Sequence, residues 1–396
     1  MDRKTEIRLI EEVLALREQG ETQYAQSAVA HDIDRYVSPQ WFARENEKIF
    51  TDRPIAIAAA CEVPNQGDYI SVQWTNGISL LIVRGDDHTV RVFANACRHR
   101  NARLVDQGER GCKRRFVCPY HAWTYDDKGN LAGAPDFDRG FSDLDKNKLG
   151  LIEFNSRVVG GIVYVCLNPN KEVPSDVLEP QMISGFEYLN LDNLRVYKSR
   201  SYKINANWKI LLEGGIEAYH FNVAHKNTLA PFFLGNLSTW EGFGSRNMRM
   251  VLPKKPILEA SELSEDKWDL RKMANIIYAL PPGLLFLAQP DNLSIIRTIP
   301  LSAGETLIEE VLLVEQPADG SDQWSDDELK MHETNHHLVN KILMEDWVLG
   351  ETIQSNMASG VVGEIHFGRF ESALIWFHQE YEKLMELNED VIARFN

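Results

Sequence analysis

Cys97-Arg98-His99-Arg100-Asn101-Ala102-Arg103-Leu104-Val105 and Cys118-Pro119-Tyr120-His121-Ala122-Trp123-Thr124-Tyr125 each open on a Cys/His pair, with 18 residues between His99 and Cys118. Each pair fits on one β-loop, and two such loops facing each other can clamp a metal centre. Two thiolates and two imidazoles are soft-to-borderline ligands, suited to an iron–sulfur cluster or to zinc. In a mixed-ligand [2Fe–2S] cluster, the two Cys would hold one iron and the two His the other. A structural Cys₂His₂ zinc site satisfies the same spacing.

The sequence around the pairs has the period of strands. IAIAAACEV, DYISVQW, ISLLIVRG and TVRVFAN follow one another, separated by turns at Pro64-Asn65, Asn76-Gly77 and Asp86-Asp87. RRFVC and GGIVYVCLN continue the pattern, which gives an all-β domain over 51–168. Residues 1–50 read as helix, loop, helix: Ile7, Ile10, Val13 and Leu14 form one stripe, and Ser38-Pro39 starts a second helix as N-cap and first residue. A Pro- and Asn-containing linker, Asn168 to Pro174, leads into a mixed region over 169–396. There, three consecutive strand candidates, PGLLFLAQ, LSIIRTIPL and TLIEEVLLVEQ, predict an antiparallel meander. Helices are expected over 326–354 and 369–388, the latter with Phe370, Leu374, Phe377, Tyr381 and Leu384 on one buried face. The fold class is α+β.

A second set of donors lies in NWKILLEGGIEAYHFNVAH, residues 207–225, which carries Glu213, Glu217, His220 and His225. On a helix, Glu213, Glu217 and His220 share a face. His225 would lie about 140° from His220 on an unbroken helix. The helix must therefore end or distort after His220 if both imidazoles bind one metal. Two His and one carboxylate form the facial triad of non-haem Fe(II) oxygenases, which keeps positions open for O₂ and substrate. The plain alternative is a surface helix with two unrelated histidines.

Composition narrows the field. The formal net charge of −16 over 396 residues argues against nucleic acid or anionic lipid as partner, and a positively charged redox partner could be steered to such a surface. No apolar stretch approaches the roughly 20 residues of a membrane span, and the charged N-terminus has no signal-peptide core, so a cytoplasmic protein is expected. An odd cysteine count, Cys61, Cys97, Cys112, Cys118 and Cys166, disfavours a disulfide framework. Cys112 reads as a non-ligand thiol, and Cys61 and Cys166 as core.

The two Cys/His loops closely resemble the cluster-binding loops of Rieske domains, with Asn101 and Ala122 standing where that family usually has Gly. The 207–225 segment resembles the catalytic motif of Rieske-type non-haem iron oxygenases, the ring-hydroxylating family. The resemblance implies a Rieske [2Fe–2S] domain followed by a helix-grip catalytic domain around a central antiparallel sheet, with residues 1–50 packed on the latter. It implies Cys97, His99, Cys118 and His121 as cluster ligands, and His220 and His225 as iron ligands. The third iron ligand maps to Asp346 in LMEDWVLGETIQSNMASG, with Glu345 as runner-up. Glu217 matches the residue that bridges the two centres across a subunit boundary. Most members have Asp there, and Glu is similar to the quaternary-amine branch that includes carnitine monooxygenase.

The implied activity is that of the terminal oxygenase: O₂ activation with electrons from NAD(P)H through a separate flavin or iron–sulfur reductase, in a head-to-tail homotrimer. An aromatic or other small organic substrate is the first expectation, as in aromatic hydrocarbon catabolism. A carnitine- or betaine-like N-methyl compound is the second. A Rieske electron carrier or a zinc-stabilised binding protein are the readings of another class. Trp240, Phe243, Tyr278, Phe286, Phe232 and Phe233 are candidates for an aromatic pocket wall, and Arg246, Arg249 or Arg297 for holding a substrate carboxylate. His336 and His337 are expected at the surface or an interface, Trp123 as packing over the cluster, and Glu213 as structural.

Overall fold

The structure is a computed structural model, and it describes residues 1–244, 246–317 and 323–387. The chain divides into two compact units, Phe50–Val177 and a larger one made of Met1–Ile49 with Leu178–Asn396. The end of the expected 369–388 helix, and of the expected 169–396 domain, lies outside the described residues.

The smaller unit is built from antiparallel strands. Its main sheet runs Ile55–Ala59, Ile162–Cys166, Glu153–Val159, Val90–Ala94, Ser79–Arg84, Asp68–Gln73, Arg110–Cys112 in spatial order. A three-stranded sheet, Arg115–Val117, Thr124–Asp126, Leu131–Gly133, stands beside it. Tyr69, Leu81, Val83 and Phe93 from the main sheet share one apolar cluster with Phe116, Trp123 and Tyr125 from the smaller one. The two Cys/His loops are anchored in that cluster through buried Cys97 and Cys118. Cys166 is buried in its strand and Cys61 in a short helical turn, while Cys112 is exposed.

The larger unit centres on a seven-stranded antiparallel sheet in the order Leu194–Ile204, Glu305–Glu315, Asn292–Ser302, Leu284–Ala288, Ala274–Leu280, Asn247–Pro253, Thr239–Phe243. The expected meander is its centre. Strand alternation gives the sheet two distinct faces. Met250, Ile277, Leu287, Ser294 and Leu312 align in register on one. Arg249, Tyr278, Phe286, Ile295 and Val311 align on the other, where Phe186 packs on Tyr278 and Phe286. The first face is covered by the long helix Asp326–Ala358, whose start is fixed by a Ser325/Glu328 capping box. Its buried side includes His336, Val339, Leu343 and Trp347. At Gly350 it approaches the helix Trp208–Gly214 so closely that a Cβ there would stand 3.0 Å from Leu211.

The N-terminal segment packs on this unit for a chemical reason. Glu45, at the end of the helix Pro39–Glu45, is fully buried and pairs at 2.5 Å with the equally buried Lys209. It also accepts from Trp208 Nε1 at 3.1 Å and from the Tyr381 hydroxyl. Leaving either charge buried alone would cost about 3–5 kcal/mol, so the pair ties the N-terminal segment to the helix preceding the site.

His336 departs from expectation. It is fully buried between the long helix and the sheet, with Nδ1 3.6 Å from Glu310, whereas His337 is exposed. Residue 336 falls on the face that also carries Val339 and Leu343, and that stripe is set by tertiary packing rather than by the polarity of the side chain.

Candidate metal centres and substrate cavity

The helix carrying the first half of the 207–225 segment starts at Trp208, where Asn207 caps it by accepting from Lys209 N at 3.0 Å. It ends at Gly214, not after His220. The Gly214-Gly215 pair explains the early stop: glycine is a weak helix former, and a Cβ on Gly215 would stand 2.7 Å from Leu285. Glu213 therefore remains on the helix, while Glu217 and His220 lie beyond it, and the three do not share a helical face. Glu213 takes the structural part expected of it, accepting from the Tyr36 hydroxyl at 2.8 Å and lying 2.9 Å from His378 Nε2.

His220 sits in the short turn Tyr219–Asn222, and His225 in the turn that follows. Their ring centroids are 4.9 Å apart. Asp346 reaches them from the long helix, with Oδ1 2.8 Å from His225 Nε2 and 3.5 Å from His220 Nε2. Donor atoms of the three side chains all lie within 4.8 Å of one another. Both Nε2 atoms are buried, and neither makes an aligned hydrogen bond. Two imidazole nitrogens converging on one carboxylate form a donor set that fits a divalent iron.

The opposite ring nitrogens are held by other groups. Glu217 bonds His220 Nδ1 through Oε1, and its Oε2 accepts from the backbone N–H of Tyr219. Glu345 Oε2 lies 2.8 Å from His225 Nδ1 and accepts from the Thr228 hydroxyl at 2.6 Å. The adjacent acids thus divide: Asp346 faces the metal side of the histidines and Glu345 the outer side of one. Carboxylates in the outer position fix the tautomer and raise ligand basicity. Burial weighs against charging His225, but Asp346 and Glu345 outweigh it and its pKa is raised. Burial likewise opposes ionising Glu345, yet its bonds to His225 and Thr228 leave its pKa lowered.

In the smaller unit the two Cys/His loops are built alike. Cys97 N donates to Ala102 O and Asn101 N back to Cys97 O, both at 2.8 Å. Cys118 N donates to Trp123 O at 2.8 Å and Ala122 N to Cys118 O at 3.0 Å. Asn101 and Ala122 both take left-handed backbone, with φ of 58° and 56°. His99 and His121 lie 4.6 Å apart, and His99 Nδ1 is buried without a partner. Burial pushes the Cys97 thiol pKa up, so an ionised sulfur there calls for a bound cation. The four side chains fit a [2Fe–2S] cluster. Trp123 stacks on His99 at 5.0 Å.

A cavity adjoins the triad. It is lined by His220, His225 and Asp346 at one end and by Phe221, Asn275, Gln289 and Ser294 among aliphatic side chains. Trp240, Phe243, Tyr278 and Phe286 are not in its wall. Tyr278 and Phe286 belong to the other face of the sheet by strand alternation, and Trp240 packs on Trp376. Phe232 and Phe233 line a neighbouring chamber. Arg249 pairs with Glu241, and Arg297 with Glu309 at 2.5 Å, so both are committed elsewhere.

Sequence reasoning missed Thr228, three residues past His225, and Tyr125, whose hydroxyl lies 3.3 Å from Cys97 Sγ and accepts from Arg98 N at 2.9 Å. Proximity to a motif is the signal that could have found either. The pocket residues Asn275, Gln289 and Ser294 carry no such signal.

Comparison with known proteins agrees with this layout. Residues 53–151 match the family model for the Rieske [2Fe-2S] domain, and residues 191–387 that for the ring hydroxylating alpha subunit catalytic domain. A glycine betaine monooxygenase oxygenase subunit from Chromohalobacter salexigens is 35% identical over 196 residues, which are 49% of this chain and 42% of that protein. A carnitine monooxygenase oxygenase subunit from Escherichia coli is 30% identical over 191 residues, 48% of this chain and 50% of that protein. The chain thus spans about half the length of the curated relatives it matches. Among solved structures, a quaternary ammonium Rieske monooxygenase in complex with L-carnitine has a TM-score of 0.73 at 21% identity, covering 92% of this chain and 96% of that one. Naphthalene 1,2-dioxygenase from Rhodococcus bound to indole has a TM-score of 0.71 at 19% identity, covering 96% and 98%.

Proposed function

Because the chain belongs to the ring-hydroxylating oxygenase alpha subunits that carry a Rieske domain, we propose that it is the terminal oxygenase of such a system. The observation that carries this reading is the convergence of His220 Nε2, His225 Nε2 and Asp346 Oδ1 beside a cavity. In it, these three hold a mononuclear iron, and Cys97, His99, Cys118 and His121 hold the cluster. When bound, the iron supplies O₂ activation and the cluster supplies electrons.

The chain's own groups do the rest. Glu217 keeps the proton on His220 Nδ1, leaving Nε2 as the free donor, and Glu345, steadied by Thr228, does the same for His225. With half of its remaining wall aliphatic, the cavity gives the apolar part of a substrate a place beside the triad.

For substrate, we favour hydroxylation of an N-methyl group of a quaternary ammonium compound, with loss of formaldehyde. Relatives named for glycine betaine and carnitine support this, as do Glu217 and the local excess of carboxylates. Ring oxidation of an aromatic compound is the second reading, favoured by the structural likeness to naphthalene dioxygenase. Against it stands a wall with one aromatic side chain, Phe221.

Reduction through a separate NAD(P)H-dependent flavin or iron–sulfur reductase completes the proposal, together with a head-to-tail homotrimer in which Glu217 links one subunit's iron site to the next subunit's cluster. Exposed Val223, Val348 and Leu349 near His220 offer apolar surface for that contact. A cytoplasmic setting, where thiols stay reduced, belongs to the same reading. Among the described residues, no helix is long and apolar enough to cross a membrane.

The test is substrate-dependent oxygen uptake by the reconstituted system, scored by formaldehyde release and product mass over quaternary ammonium and aromatic compounds. Glu217→Gln should retain iron and cluster by metal analysis and electron paramagnetic resonance, yet lose coupled turnover. Normal turnover by that variant would remove Glu217 from the bridge, and zinc between the Cys/His loops would remove the oxygenase reading altogether.

A further inference from the structure

A second chamber shares Leu229, Gln289, Val339 and Ile342 with the cavity beside the triad. Its wall contains a cation, Lys254, just past the end of the strand Asn247–Pro253. The backbone there is fixed: Lys254 N donates to Met273 O at 2.8 Å, and the residue bridges to Phe233. The side chain is half-buried. Nζ donates to Gln289 Oε1 at 3.1 Å and lies 5.7 Å from the Phe233 ring centroid. Both contacts are to neutral groups.

The acid in this wall bonds elsewhere. Asp291, in the same chamber wall, accepts from Asn292 at 2.9 Å through one oxygen and from Asn335 at 2.8 Å through the other. It acts on Lys254 through space, without an ion pair among the described residues. An ammonium with three donors, desolvated and bonded to one neutral amide, has unused capacity to bind an anion. Gln289 belongs to both walls, so the group that holds Lys254 also faces the triad-side cavity.

We propose that Lys254 is a specificity-determining residue that binds a substrate carboxylate, with Gln289 positioning its ammonium. The substrate then has two ends, one oxidised beside His220, His225 and Asp346 and one anionic in the second chamber. This rests on the reading of the triad cavity as the substrate site, and it deepens that reading by adding an anionic end to the substrate. Lys254 takes over the part that the sequence suggested for Arg246, Arg249 or Arg297.

Burial also pulls the Lys254 pKa down to about 8, against Asp291, which raises it, and with Arg271, which lowers it further. A bound carboxylate favours the protonated amine. Carboxylate affinity should therefore be highest below pH 8 and fall as pH rises through that value.

The experiment is calorimetric titration of the iron-loaded protein with ligand pairs that differ at one end. Glycine betaine and γ-butyrobetaine are set against choline, and 4-methoxyphenylacetate against 2-(4-methoxyphenyl)ethanol. In at least one class the carboxylate member should bind about 10- to 100-fold more tightly than the alcohol. Lys254→Gln should bring that ratio close to one and flatten the pH dependence, with the alcohol's Kd unchanged, and Lys254→Arg should keep most of the preference. A Lys254-dependent preference seen with the aromatic pair alone would sink the quaternary ammonium reading and leave the anchor standing. Equal binding within every pair, or a preference that survives Lys254→Gln, would overturn the anchor.

Discussion

In the smaller unit, four donors come from two short loops that repeat one backbone pattern, each closing a turn from its Cys to a residue in left-handed conformation. In the larger unit, three donors come from two elements far apart in the chain: the turns holding His220 and His225, and the long helix holding Asp346. The first arrangement is a property of local sequence, and it needs little beyond the sheets that carry the loops. The second exists only when the helix Asp326–Ala358 lies across the sheet in one register, because a shift of one residue would replace Asp346 by Glu345 or Trp347.

The sharpest way to break the long-range set is to exchange the neighbouring acids. Asp346→Asn should remove iron and abolish turnover, while leaving the cluster's electron paramagnetic resonance signal intact. Glu345→Gln should keep iron but weaken its binding by about 10- to 100-fold, the usual effect of removing an outer carboxylate from a ligating histidine. Equal losses from the two variants, measured by iron titration, would show that the division between them is wrong.

A second test probes the packing that sets the helix register. Glu310 is fully buried facing His336, and burial raises its pKa from the ordinary 4.5 to about 7. Since the folded state holds this proton more tightly than the unfolded chain, stability falls as pH rises from about 4.5 through 7. Glu310→Gln removes that penalty. By denaturant unfolding followed at several pH values, the variant should gain roughly 3 kcal/mol at pH 8 relative to its difference from wild type at pH 4. A difference that does not change with pH would contradict the buried pair.

The smallest effect expected is in the local set. Ala122 pays a side-chain penalty for its φ of 56°, so Ala122→Gly should stabilise the Rieske unit by about 0.5–1 kcal/mol with the cluster spectrum unchanged. Asn101→Gly should gain less, because Asn tolerates that conformation. Destabilisation by Ala122→Gly, read as a lower melting temperature, would mean the loop is held by more than its turn.

Much of this molecule was legible before its structure. Cys97, His99, Cys118 and His121 are set by loops of a few residues, so their order along the chain nearly fixes their order in space. The three-strand meander follows from three consecutive, largely apolar strand-forming runs, and the Ser38-Pro39 helix start from capping chemistry. What escaped were effects of packing. The Trp208–Gly214 helix stops where Gly215 meets Leu285, which no count of helical turns reveals. Tyr278 and Phe286 are aromatic in sequence but face away from the cavity, because sidedness belongs to the sheet and not to the residue type.

The chemistry available to this protein, soft ligands in pairs and a His/His/acid set, was therefore written in the chain itself, since it depends on residue identity and short spacing. Asp346 was named by resemblance to a family motif and not by spacing, whereas which faces line the cavity and where the Lys254 ammonium stands were decided by the fold. His225 and Asp346 lie more than a hundred residues apart in the chain, and the burial of shared apolar faces brings them together.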